Sequence, residues 1–283
     1  MTKLDLRLHA YRPDLADAAL QGHVEAARFV EPQLMQVVEP VITVHKAPRF
    51  DAMQLTQALF GETVKLFAEE EGWAWVQLAR DGYVGYVNGN ALSPQMMPPT
   101  HRVAVPSTFM YPEASLKTQP AIPLTLNAQV TVASETGAFS RLANGRFVFT
   151  AHLKTVDEVE SDYVSVAEMF RHVPYYWGGK SVHGLDCSGL VQLSLEACGK
   201  PAPRDSDMQE ATLGERLMVN DLDALKRGDL VFWDGHVGIM TDEKTLLHAN
   251  GYHMMVVAEP LKEAVDRIAA RYGQLTSVRR FRG

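Results

Sequence analysis

The stretch from Pro174 to Leu195, PYYWGGKSVHGLDCSGLVQLSL, carries the chemistry, and its centre is Cys187. A glycine-rich loop with aromatic flanks leads into an apolar run, Leu190, Val191, Leu193 and Leu195, which predicts a helix with Cys187 in its first turn. Free backbone N–H groups and the helix dipole favour an anion there. Only the thiolate is a strong nucleophile, so the position predicts a thiol that ionises below the usual value of about 8.5. A packing cysteine sits in an apolar stripe, whereas Cys187 lies between Asp186 and Ser188 with Gly184 and Gly189 close by. Cys198 is the contrast: it follows Leu195 and Ala197, precedes Gly199, and reads as packing.

A cysteine nucleophile needs a base for its proton and a third group to orient that base. Two histidines fit. His236 follows the turn Asp234-Gly235 and opens HVGIM, and His248 ends TLLHAN one hairpin later, so paired antiparallel strands bring both imidazoles to one end. A zinc site made of Cys187, His236 and His248 is the rival chemistry, but no close-spaced ligand pair such as CxxC or HExxH accompanies it. The expectation is therefore no metal and no cofactor.

The elements that position these residues read as α+β after about residue 157. A helix is expected near Val164 to His172, then the Cys187 helix, a polar helix start at PRDSDMQEA, and the strands DLVFW, HVGIM and TLLHAN. An amphipathic helix follows with Leu261, Val265, Ile268 and Tyr272 on one face, and TSVRRF closes the chain. Upstream, VITV, VKLFAEE, WAWVQLA and YVGYV are short strands separated by the turn signals Glu71-Gly72 and Asp81-Gly82. The pattern recurs at an offset of roughly 63 to 66 residues, QVTVASETGAFSRL echoing TVKLFAEEEGWAWVQL, which predicts two tandem β modules joined by the proline-rich SPQMMPPT. The expected organisation is a helical arm over 1–35, β modules over 36–95 and 101–157, and a chemical domain over 158–283.

At 283 residues the chain is long enough for two or three compact units. Its formal charge of −7, with no basic run, lacks the phosphate-neutralising surface that nucleic-acid binding needs. No apolar stretch approaches the ~18 residues of a membrane span, and the acidic MTKLDLRLHAYRPDLADAAL has no signal-peptide core. The expectation is a cytoplasmic protein without nucleic-acid or membrane partners, of open oligomeric state. Cys187 and Cys198 are eleven residues apart, too far along one helix to bridge, so Cys187 is expected free and reduced.

PYYWGG, LDCSG, GDLVFW, GHVGI and LLHAN, in that order, resemble the successive motifs of the NlpC-type, papain-like cell-wall cysteine peptidases. The upstream repeats resemble the bacterial SH3-like barrels of one branch of that family, which cuts between γ-D-glutamate and a diamino acid. The resemblance implies Cys187 as nucleophile, His236 as base, His248 as orienting residue and Tyr175 beside the scissile carbonyl. It further implies that the free amino end of a small peptidoglycan-derived peptide is gripped by Asp186 and by Tyr83 of the first barrel, with Ser188 and Ser206 completing the polar contacts. Tyr86 stands where that barrel motif commonly carries tryptophan. An amidase or acyltransferase on the same catalytic fold, and a wall-fragment-binding protein without activity, are the alternatives.

Overall fold

The computed structural model describes residues 4–217 and 222–282. They form two compact units, Met1–Glu158 and Val159–Gly283.

The first unit is built mainly from antiparallel strands, with one parallel pair between Leu15–Asp17 and Phe29–Val30. Gln33–Val37, Val41–His45, Gln54–Leu59, Thr63–Glu70, Trp73–Leu78, Val84–Asn88 and Leu92–Ser93 make one seven-stranded sheet. Glu71 and Gly72 both take positive φ and close the hairpin that pairs Glu70 with Trp73, as a two-residue turn of this twist requires. A second β region repeats the element order. Val132–Thr136, Phe139–Leu142 and Phe147–Phe149 form a three-stranded sheet, followed, as in the first region, by a 3-10 turn and a short strand. It splits into three small sheets around its own core of Val103, Met110, Leu124, Ala128, Val130, Leu142 and Val148.

The arm expected to be helical over residues 1–35 is not. Tyr11–Arg12, Leu15–Asp17 and Phe29–Val30 are strands of a small sheet, and the only helical turn described there is a 3-10 turn at Ala18–Leu20 capped by Asp17. A segment this short cannot nucleate a helix alone. Burial of Leu15 and Ala16, at 1% and 0% exposure, fixes it as a strand instead.

The second unit contains α1 (Tyr163–Glu168), α2 (Cys187–Ala197), α3 (Ser206–Thr212), β1 (Glu215–Leu217), β2 (Leu230–Trp233), β3 (His236–Met240), β4 (Thr245–Asn250), β5 (Met255–Pro260), α4 (Leu261–Tyr272) and β6 (Ser277–Arg280). Its antiparallel sheet has the order β1-β6-β2-β3-β4-β5. Leu261, Ala264 and Ile268 of α4 pack on Trp233, Met240 and Leu246, with Val265 alongside; the Tyr272 side chain lies outside the described residues. Helix α2 packs on β3 and β4 and is buried over nearly its whole length. That burial stabilises the unit by roughly 1.5–3 kcal/mol for each large apolar side chain.

The loop before α2 comes close enough to the helix to exclude side chains. A Cβ on Gly189 meets the Gly179 carbonyl oxygen at 2.2 Å and Asp186 Oδ1 at 2.9 Å, and one on Gly179 meets the Gly184 carbonyl oxygen at 2.4 Å. Backbone on both sides prevents relief by a rotamer change. Gly189→Ala is therefore expected to destabilise the second unit by about 1–3 kcal/mol or more. Thermal unfolding measures it, and a melting temperature equal to wild type contradicts the close approach.

Candidate active site

Asp186 is the N-cap of α2. Its Oδ1 accepts the Gly189 N–H at 2.7 Å and its Oδ2 the Gly178 N–H at 2.8 Å, so one carboxylate ties loop to helix. Arg204, 1% exposed, donates to both oxygens at 2.9 and 2.7 Å and also to the Ser188 hydroxyl at 2.8 Å. The Ser188 hydroxyl in turn donates to Asp186 Oδ1 at 3.3 Å. The Asp186 carboxylate is therefore shared between the loop, the helix start and Arg204. Nothing in the RDSDMQ pattern identified Arg204 as its partner, because the two lie 18 residues apart.

Cys187 is the first residue of α2 and 8% exposed. It lines a cleft of about 520 Å³ together with Tyr175, Trp177, His236 and His248. Tyr176 and Trp177 are 48% and 59% exposed and so belong to no buried aromatic core. Ser206 is the first residue of α3, half-buried, while the cap position falls to Asp205. Tyr83 is 3% exposed and packs in the core of the first β region with Val76, Leu78, Val87 and Leu8. Val84 and Tyr86 take the other face, where the Tyr86 hydroxyl accepts from Arg12 at 3.0 Å.

The β3–β4 hairpin brings the two histidines together. Register pairs Ile239 with Leu247 and Met240 with Leu246, so alternation puts His236, Gly238 and His248 on one side. Gly238 leaves the space: a Cβ there lies 3.3 Å from His248 Cβ and 2.6 Å from Leu246 Cδ1. His236 Nε2 is 2.8 Å from His248 Nδ1. Beyond lies a group the sequence reading missed. Glu259 Oε1 is 2.6 Å from His248 Nε2, and the Arg267 guanidinium holds both Glu259 oxygens at 2.5 and 2.6 Å. The pairing of β4 with β5, Leu246 opposite Glu259, is the signal that locates it, and β5 itself was not foreseen.

Burial governs the charge state of this site. It pushes the Cys187 thiol up to about 12, with the Asp186 charge adding to the effect, while N–H groups of Val237 and Ser188 and the Arg204 charge oppose it. It pushes His236 down to about 3, the neighbouring His248 and Arg267 acting in the same direction. The tyrosine hydroxyl of Tyr175 is likewise held protonated, first by burial and then by Cys187 and Asp186. These directions favour the neutral thiol and the neutral imidazole in the free site, against the preformed thiolate expected from the helix start. Alkylation of Cys187 in the free protein is accordingly expected to keep rising with pH from 6 to beyond 9. A rate plateau below pH 7 in a pH-resolved iodoacetamide assay refutes the neutral pair.

Residues 44–92 match the family described as "Bacterial dipeptidyl-peptidase Sh3 domain", and residues 172–270 match the "NlpC/P60 family". The chain is 31% identical over 224 residues to a protein of Bacillus subtilis (strain 168) named gamma-D-glutamyl-L-lysine dipeptidyl-peptidase, covering 69% of this chain and 71% of that one. It is 24% identical over 238 residues to a protein of the same name from Bacillus cereus (strain ATCC 10987 / NRS 248), covering 73% and 70%. The crystal structure of an NlpC/P60 family protein from Bacillus cereus ATCC 10987 superimposes with a TM-score of 0.72 at 20% identity, covering 88% of this chain and 99% of that one, and so shares the fold. With the cysteine at the head of α2, the paired histidines on the neighbouring hairpin and an SH3 domain upstream, this chain belongs to the NlpC/P60 family of papain-like cysteine peptidases.

Proposed function

We propose that this peptidase hydrolyses the bond between γ-D-glutamate and a diamino acid in peptidoglycan-derived peptides whose N-terminal L-alanine is free. The observation that carries the reading is the similarity, over more than two thirds of both chains, to a relative named for that bond. Recycling of released wall peptides in the cytoplasm suits two cysteines that are both free. The second β region is read as a diverged copy of the SH3-like module, on the strength of its repeated element order.

In this reading Cys187 is the nucleophile, His236 the base and His248 the residue that orients it. As the sulfur attacks the γ-carbonyl carbon, its proton passes to His236 Nδ1, and the carbonyl oxygen becomes an oxyanion. The N–H of Cys187 at the helix start faces that oxygen, and the protonated Tyr175 hydroxyl adds a donor. His236 then returns the proton to the leaving amine of the diamino acid, leaving an acyl thioester. Water attacks the thioester, gives a proton to His236, and the acid is released as the thiol recovers that proton.

Two side chains of the cleft suit a diamino acid. Asp234 and Arg271 both line it, both are exposed, and neither is in an ion pair among the described residues. Opposite charges left apart match the ammonium of a diamino side chain and, for diaminopimelate, the carboxylate beside it. Ser206, whose hydroxyl makes no hydrogen bond among the described residues, is available to the glutamyl end, as is the Ser188–Asp186–Arg204 group in its shared form.

The test is cleavage of L-Ala-γ-D-Glu-diaminopimelate and L-Ala-γ-D-Glu-L-Lys, followed by mass spectrometry. Wild type is expected to release the diamino acid, and Cys187→Ala and His236→Ala to lose turnover by at least about a thousandfold while remaining folded. Asp234→Asn should weaken cleavage of both peptides, and Arg271→Ala that of the diaminopimelate peptide more. Failure of wild type to cut either peptide removes the proposed substrate.

A further inference from the structure

A histidine in the orienting position poses a problem that a carboxylate or an amide does not. Its two ring nitrogens exchange donor and acceptor roles with the tautomer, so it does not by itself dictate which nitrogen of His236 is free. Two groups compete to set the His248 tautomer. Asn250 Nδ2 lies 2.9 Å from His248 Nε2, and because Asn250 Oδ1 already accepts the His253 N–H at 2.8 Å, its amide presents N–H to the ring. That contact favours a bare Nε2. Glu259 Oε1, at 2.6 Å from the same nitrogen, favours a protonated one.

The charges decide between them. The bidentate Arg267, itself stacked 4.6 Å from the Tyr252 ring, and the bond from His248 hold the Glu259 carboxyl down at about 2 against the effect of its partial burial. Glu259 is therefore an anion at every working pH. A bare Nε2 facing an anion at 2.6 Å sets two lone pairs against each other inside a largely buried site, whereas an N–H there makes a charge-assisted bond. The proton belongs on Nε2, and the weaker neutral contact from Asn250 yields.

We infer that Glu259, clamped by Arg267, is a positioning residue for the catalytic pair: it fixes the proton of His248 on Nε2 and thereby leaves His236 Nδ1 bare for the Cys187 proton. The geometry runs in one direction. His248 Nε2–H donates to Glu259, so His248 Nδ1 accepts; His236 Nε2–H donates to it across 2.8 Å; His236 Nδ1 is then the bare nitrogen, in the cleft that Cys187 also lines. No proton moves past His236. Without the Glu259 charge, Asn250 is the remaining partner of Nε2. The His248 tautomer then inverts, the His236 proton shifts to Nδ1, and the base is capped by its own proton. The assignment rests on the roles proposed above for Cys187 and His236, but its central observable, the His248 tautomer, needs no substrate.

The first measurement is nitrogen-15 NMR of the imidazoles in the full-length wild-type protein at neutral pH. His248 is expected to be protonated at Nε2 and bare at Nδ1; the opposite assignment overturns the inference without any variant being made. The second is Glu259→Gln, with folding checked by circular dichroism and thermal unfolding. It is expected to lower kcat about 10- to 100-fold with KM changed less than about threefold, and to move the His248 proton toward Nδ1. It is also expected to shift the acid limb of kcat/KM to lower pH. The titratable and charged groups around the pair are the Cys187 thiol on α2, Arg267 on α4, His253 in the loop after β4 and Glu259 on β5, and of these Glu259 is the one whose charge favours the imidazolium of His236 and His248. Its removal therefore makes His236 harder to protonate. Glu259→Asp, which keeps the charge, should regain most of kcat and the wild-type limb. Wild-type kcat and pH profile in Glu259→Gln, or lost kcat with the His248 proton still on Nε2, refutes the role. Inability of wild type to cut any wall peptide removes the proposed substrate and leaves the tautomer result standing.

Discussion

The buried ion pair of Asp186 and Arg204 is the constraint on which the catalytic unit depends. Taking two charges out of water costs several kcal/mol for each ion, and the pair is tolerated because its geometry is bidentate and the remaining lone pairs are used. The Asp186 oxygens also hold the Gly178 and Gly189 N–H groups, one from the loop and one from the first turn of α2. The charge that caps the helix is thus the one that fastens the loop to it, and three glycines let the backbones approach until that carboxylate reaches both. Taking away the guanidinium alone strands a carboxylate in the interior, a loss on the order of 3–5 kcal/mol. Cys187, one residue on, has its position set by the same bonds.

That arrangement also explains why the head of a helix does not give a thiolate here. A helix N-terminus has one set of free N–H groups and one local potential, worth typically a fraction of a kcal/mol to about 2 kcal/mol. Asp186 already occupies it, and its negative charge pushes the thiol up, while Arg204 pushes it back. Desolvation is the dominant effect, and it favours the uncharged form of Cys187 and of His236 alike. Charge separation is thereby deferred until a substrate carbonyl is present to receive it.

How much was legible follows from how local each signal is. Cys187 at the head of a helix, the Asp234-Gly235 turn before His236 and the strand ending at His248 are each written within ten residues, and the structure brings them to one cleft. The hairpin turns at Glu71-Gly72 and Gly82 are equally local, since positive φ there demands particular residues. What depended on distant partners was not visible. Leu15 and Ala16 look helical by spacing but are strand residues because of what covers them, and Asp186 looks like a free acid until Arg204 arrives from 18 residues away. Glu259 stands in VVAEP, an unremarkable strand, and nothing short of the β4–β5 pairing puts it against His248.

Two ion pairs of the catalytic unit, Asp186 with Arg204 and Glu259 with Arg267, act at opposite ends of one line of groups. Asp186 with Arg204 fixes where the sulfur is, and Glu259 with Arg267 bears on which nitrogen of the line carries a proton. In both, an arginine takes a carboxylate bidentately. This matters for a site in which charge must appear and vanish during turnover. A lone carboxylate behind His248 would stabilise a doubly protonated imidazole and hold the proton there; with Arg267 beside it the Glu259 charge is strong enough to orient an N–H and too well balanced to trap a cation. His248 accordingly stays neutral, its ionisation pushed down by burial against the pull of Glu259. In the roles proposed above, the proton taken from Cys187 then has one place to rest, on His236, which is where the leaving amine must find it.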